Sequence, residues 1–315
     1  DTYGRVVACL EDGRAGLEVL VGELADADPR RVQRIGGTLA GLRGPGRCGE
    51  PEVLGRYAAS AGLATTQAAQ LRRTVARTSM LVFVGAFAAA QAELDAARAQ
   101  ARRLELPRLQ ALVELAGADL AYQRGDTREA RARLIAAHAV AGAGGVDEVA
   151  AEAATFLAEV VGIGATDPAG GEGWLRLAEM WQARLGVGPD DDRRFTLVRA
   201  HGRLRQARGD LAGAASLFER ALAGARRLYG PAHPDVAALL MDLGVIATAL
   251  GDHAGSYARM EAALAVLASA ACMADGHVTM SSRPVARWPF PPVAPVAVTP
   301  AGAVVAAQPA AAPCW

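Results

Sequence analysis

The chain has 315 residues, of which 52% are apolar but only 5% aromatic, and its 33 basic residues balance 33 acidic ones. That length admits one large or two ordinary domains, and a neutral chain offers no electrostatic footprint for nucleic acid or an anionic membrane surface. Every basic residue is Arg, since the chain contains neither Lys nor Asn, which excludes a Walker A loop and the strand lysine of a protein kinase.

Residues 1–63 read as an N-terminal helical linker or cap. Leu10, Leu17, Leu20, Val21 and Leu24 fall at helical spacing, and a second helix over 29–42 ends in the breaker-rich LRGPGRCGEP. Such a cap is expected to cover the apolar face of a following repeat. Cys9 and Cys48 are expected as buried thiols, with a disulfide between them as the alternative, and the four cysteines show no C-x-x-C spacing. The longest apolar run, residues 80–90, is too short to span a bilayer. A chain that opens at Asp1 reads as a fragment or a processed product, and without a visible signal peptide a cytoplasmic setting is expected.

Residues 64–274 carry an internal repeat. Residues 195–230 and 237–271 align at a constant offset of 42: Gly202 with Gly244, Gly209-Asp210 with Gly251-Asp252, Ala214 with Ser256, Phe218 with Met260, and Ala221-Leu222 with Ala263-Leu264. Gly202 and Gly244 lie inside a first helix, where Gly costs about 1 kcal/mol relative to Ala, so a close helix–helix approach is expected there. Gly209 and Gly251 should end that helix in the left-handed conformation, and the Asp that follows should cap the next helix. Gly125-Asp126 with Ala130, Leu134 and Ala137, and Gly85 with Ala90, Leu94 and Ala97, repeat the pattern upstream. Between them a degenerate copy is expected, with helices over 149–161 and 174–185 joined by a lengthened turn, GIGATDPAGGEG.

After Asp275 the chain is rich in Pro, Ala and Val and holds no acidic residue. Residues 275–315 are expected to be a disordered or polyproline-like tail. The fold class that follows is all-α, an antiparallel helix-hairpin solenoid with a disordered C-terminal tail.

The positions of Gly202, Gly209, Ala214, Phe218 and Ala221 resemble the tetratricopeptide repeat, and the 42-residue period with the loop LYGPAHPDVA at 228–237 resembles its kinesin-light-chain-like subtype. The resemblance covers about residues 77–270 and departs from the pattern at the first-helix Trp and Tyr positions. Cys9-Leu10-Glu11 and Cys48-Gly49-Glu50-Pro51 resemble the linker that follows the catalytic domain in myxobacterial serine/threonine protein kinases with tetratricopeptide tails. That resemblance implies a catalytic domain upstream of Asp1.

The chain itself holds no glycine-rich kinase loop, H-R-D, D-F-G or G-x-S-x-G, and its five histidines form no H-x-x-x-H pair. Neither catalysis, cofactor nor metal is therefore expected. His233, before Pro234, reads as a helix cap or turn residue, and the run 190–192 as a helix start. The tetratricopeptide resemblance implies a concave groove lined by first helices, with Asp119, Tyr122, Gln123, Arg199, Arg203, Gln206, Asp242 and Thr248 as candidate contacts. Arg199 and Arg203, four apart, share a helix face and could clamp a carboxylate or phosphate, or simply form a solvated face. The Lys/Asn clamp of chaperone-binding members has no counterpart here. The expected function is a noncatalytic protein–protein interaction scaffold with a protein or peptide partner, as the regulatory C-terminal region of a bacterial serine/threonine kinase. Alternatives are that the whole protein is that kinase, or that the repeats are the sensor arm of a transcriptional regulator.

Overall fold

A computed structural model describes residues 2–25, 48, 49, 54, 66–164, 166–188, 191–274, 296–298 and 304–306. The expected helix over 29–42 and most of the tail lie outside these residues. The chain divides into two compact units, Asp1–Ala271 and Cys272–Trp315. In the second, Val296–Val298 and Val304–Ala306 pair as antiparallel strands, with Ala297 opposite Val305.

Among its described residues the first unit is built of helices. Helix α1 (Thr2–Ala25) precedes five hairpins: α2 (Thr66–Phe83) with α3 (Phe87–Leu104), α4 (Pro107–Gln123) with α5 (Thr127–Ala143), α6 (Asp147–Glu159) with α7 (Pro168–Arg184), α8 (Asp192–Ala207) with α9 (Leu211–Tyr229), and α10 (Pro234–Ala249) with α11 (His253–Ala274). The expected helix-hairpin solenoid is what the structure shows.

Four of the five turns share one construction. Gly209 takes φ +80° at the end of α8, its N–H bonds to Gln206 O, and the next N–H, of Asp210, reaches back to Arg205 O. This pair of bonds closes a helix end through a left-handed residue that glycine adopts without steric cost. Gly85, Gly125 and Gly251 repeat it. The Asp carboxylates then cap the second helices, Asp126 accepting from Glu129 N–H, Asp210 from Gly213 N–H and Asp252 from Gly255 N–H. His233 caps α10, its Nδ1 accepting the Asp235 N–H at 3.2 Å.

The degenerate copy is less degenerate than its composition suggests. GIGATDPAGGEG is not a long turn: α6 runs into a π-helical turn, Val160–Gly164, and α7 starts at Pro168, so only residues 165–167 connect the two. Asp167 caps α7 through Gly170 N–H at 2.9 Å, as Asp126 caps α5. Thr166, at φ +53°, stands where the other turns have Gly. The Asp167 N–H bonds to Val161 O, one residue farther back than in the other hairpins. The π-helical turn thus absorbs a single inserted residue, a common use of such turns. Two of its glycines serve packing: a Cβ on Gly171 would lie 2.8 Å from Gly162 Cα and 2.9 Å from Ala158 O.

In every hairpin the second helix buries the same three places: Ala90, Leu94, Ala97; Ala130, Leu134, Ala137; Gly171, Leu175, Ala178; Ala214, Phe218, Ala221; and Ser256, Met260, Ala263, of which Met260 is half-buried. Opposite the middle residue stands Gly202 in α8, whose Cβ would sit 2.6 Å from the Phe218 ring, and Gly244 in α10, whose Cβ would sit 2.9 Å from Met260 Cε. The expected close approach is present, and each glycine makes room for a large partner.

At the amino end, α1 packs on α2 through Val19, in a core with Ala68, Leu71 and Val75, and through Arg72, which donates to Asp12 and Glu11. Its buried face is Ala8, Cys9, Ala15, Val19 and Leu20, whereas Leu10, Leu17 and Val21 are exposed. Cys9 and Cys48 form a disulfide, with Cα atoms 5.7 Å apart. This replaces the two free thiols expected from sequence, because spacing along the chain does not report that α1 brings the two Cβ atoms together.

Between α5 and α7, the Trp181 indole N–H donates to His138 Nε2 at 3.0 Å, and the His138 ring also meets Trp174 edge-on. An acceptor nitrogen requires the neutral imidazole, and burial pushes the His138 pKa below its ordinary 6.5. With the folded value depressed, the unfolded chain protonates first. The stability that His138 contributes is complete above 6.5 and is lost as pH falls below it. A His138→Gln variant should therefore lose less of its melting temperature between pH 7.5 and 5.5 than the wild type, and equal losses would refute the assignment.

Candidate partner-binding groove

Successive first helices approach one another closely along their backbones, α2 with α4, α4 with α6 and α6 with α8, whereas among the described residues successive second helices meet through long side chains, as His138 of α5 and Trp181 of α7 do. A stack whose first helices approach more closely than its second helices curves with the first helices inside. The inner face presents a row of polar and aromatic side chains.

At its start, Asp119 on α4 is half-buried, and its partner among the described residues is Gln123, whose amide donates at 3.4 Å. Burial pushes the Asp119 carboxyl above its ordinary value, and the Gln123 bond opposes this. Tyr122 meets Phe156 of α6 edge-on, with ring centroids 5.2 Å apart, and is 36% exposed.

The row continues through ion pairs. Arg203 of α8 donates to Glu159 of α6 at 2.8 Å, and its Nε lies 3.9 Å from Asp242 of α10. Arg199 Nε donates to the same Asp242 carboxylate at 3.2 Å. Burial works against the Arg203 charge, but Glu159 and Asp242 outweigh it and hold the guanidinium above its ordinary pKa. The two arginines thus bridge three first helices with carboxylates of the chain itself. An external carboxylate or phosphate would have to displace them before the two arginines could act as a clamp.

Gln206 is half-buried one turn beyond Arg203, and Gln123 is exposed. The Thr248 hydroxyl lies between Gly244 O, at 3.1 Å, and Ser256 Oγ of α11, at 2.7 Å, so it ties the last hairpin together. The structure brings Tyr122 and Arg203 into electrostatic reach of one another and joins Arg199, Arg203 and Asp242. Two members of the row, Phe156 and Glu159, were missed by the sequence reading. Aligning Asp167 on Asp126 and Asp210 sets Val160 against Asp119 and Arg203; Glu159 takes that place only once the residue absorbed by the π-helical turn is allowed for, so that it follows the buried Ala158 as Asp119 follows Ala118 and Arg203 follows Gly202.

Residues 193–269 match the tetratricopeptide repeat family. The match covers α8–α11, the two hairpins with Gly at the close-approach position. Among solved structures, BtubC (BKLC) from P. vanneervenii is similar at 20% identity and TM-score 0.52, over 86% of this chain and 98% of that one. A likeness at that identity speaks to the fold. A putative kinesin light chain from Podospora anserina with nearly identical tetratricopeptide-like repeats aligns at 19% identity and TM-score 0.48, over 63% of this chain and 95% of that one. No curated protein matches the chain. Among the described residues, no helix is long and apolar enough to cross a membrane.

Proposed function

We propose that the chain is a noncatalytic scaffold that holds a protein or peptide partner along its first helices, in the setting of a bacterial serine/threonine kinase of which it forms the regulatory C-terminal part. The observation that carries the scaffold reading is the continuous row from Asp119 to Asp242, which crosses four first helices and stays open to solvent at Tyr122 and Gln123. The kinase setting is supported by the resemblance around Cys9-Leu10-Glu11 and Cys48-Gly49-Glu50-Pro51.

The test is affinity capture from a native extract on immobilised wild type and on an Arg199→Glu/Arg203→Glu variant. Thermal melts must confirm that the variant is folded, because the substitutions set like charges against Glu159 and Asp242. Selective loss of retained partners supports the groove, and equal recovery rejects it. For the setting, the coding sequence immediately 5′ of Asp1 decides: H-R-D and D-F-G motifs there support the kinase reading, and a helix-turn-helix supports a regulator's sensor arm. The redox state of Cys9 and Cys48 tests the proposed cytoplasmic location, since a cytosolic protein keeps such a pair reduced. Alkylation of both thiols in a native extract would support that location, and a protected pair would indicate an oxidising compartment.

A further inference from the structure

We propose that the groove selects a partner segment carrying a basic side chain, and that Asp119 is the residue which seats it. The inference rests on the groove reading above and names the chemistry of its occupant.

It follows from how the charges of the row are already spent. Three carboxylates, Asp119, Glu159 and Asp242, lie along it with two guanidiniums, Arg199 and Arg203. Arg199 is held by Asp242, and Arg203 by Glu159 and Asp242 together. Both cations are therefore neutralised within the chain. Asp119 has no cation among the described residues, and its one hydrogen bond, from the Gln123 amide, is long at 3.4 Å. A partly buried carboxylate with so little compensation attracts a cation more strongly than one in free solvent.

The surroundings suit a guanidinium or ammonium on an aliphatic stem. Tyr122 follows Asp119 by three residues, hence on the same face of α4, and its ring packs against Phe156 of α6. Aromatic rings beside a carboxylate accept the methylene stem of Arg or Lys and interact favourably with its charge. An acidic segment meets the opposite situation: Asp119 repels it, and Arg199 and Arg203 would have to release their own partners first. This is the opposite polarity to a carboxylate clamp, one of the two readings that the spacing of Arg199 and Arg203 allowed.

The experiment uses the full chain and fluorescent decapeptide pools, randomised except for one fixed central residue. Pools fixed as Arg or Lys should be retained over pools fixed as Glu or Asp by about fivefold, as expected for one partly solvated ion pair. Asp119→Asn preserves size and the Gln123 contact, so its melt should match wild type while the preference for basic pools falls to near unity. Arg203→Gln frees the Glu159 carboxylate and should strengthen the preference. Preferential retention of acidic pools, or an undiminished basic preference in Asp119→Asn, would overturn the inference and leave the groove standing. Retention of no pool by the wild type would overturn the peptide groove itself.

Discussion

Phe218→Ala should destabilise the array by about 3–5 kcal/mol, the range for removing a fully buried aromatic side chain from a core. Phe218 is 0% exposed and lies against Gly202 across the α8–α9 hairpin. The companion Gly202→Ala separates two opposed effects. Ala gains about 1 kcal/mol of helix propensity over Gly, but its Cβ would be 2.6 Å from the ring, and overpacking of this kind costs about 1–3 kcal/mol. A net loss is expected. Two other hairpins contain a working alternative, since Ala118 and Ala158 occupy the equivalent first-helix place where the second helix carries Leu134 and Leu175. Gly202→Ala/Phe218→Leu should therefore be more stable than the sum of its single variants predicts. Gly224→Ala is the control: no atom lies within 4 Å of its added Cβ, so it should stabilise by about 0.5–1 kcal/mol. Urea melts of wild type and these variants, with Phe218→Leu alone completing the cycle, test this, and additivity of the double variant would refute size matching between the helices.

Reduction of the Cys9–Cys48 bridge has the second large expected effect. The bonded residues are 39 apart in sequence, and chain-entropy arguments give about 4 kcal/mol for closing a loop of that length. The loss should fall on the amino end, where α1 joins the array through Val19 and the Arg72 pairs with Asp12 and Glu11. Amide exchange in α1 should accelerate on reduction, while α8–α10, which share no contact with the bridge, keep their protection. Cys9→Ser/Cys48→Ser should reproduce the reduced protein without reductant. Unchanged exchange in α1 would show that the packing of Val19 and Arg72 holds the helix unaided.

The repeat was legible because its signals are local. A glycine at φ +80° and an Asp that caps three residues onward are encoded within a few positions, so Gly209-Asp210, Gly251-Asp252 and Gly125-Asp126 identified three turns directly. The same logic failed at Thr166-Asp167, where the left-handed residue is not Gly and the glycines at 170, 171 and 173 resemble a loop. Composition cannot distinguish glycine that breaks a helix from glycine that lets two helices touch. The Asp cap was still readable there and would have recovered the start of the second helix, but the residue absorbed by the π-helical turn shifts the first helix by one, so the cap did not lead to Glu159.

For the groove, residue type and helix face were legible, and charge balance was not. Arg199 and Arg203 share a face by their spacing alone, but whether they are available depends on Glu159 and Asp242, about forty residues away in either direction on neighbouring helices. The pairing of Cys9 with Cys48 and the exposure of Leu10 and Leu17 are of the same kind. Period, turns, caps and the small-against-large matching of helix pairs are written in the chain because short-range hydrogen bonds and side-chain volume determine them. The one-residue π-helical adjustment, the Cys9–Cys48 pairing and the neutralised arginines were decided by tertiary structure, because each depends on which atoms the stacking of helices brings within a few ångströms.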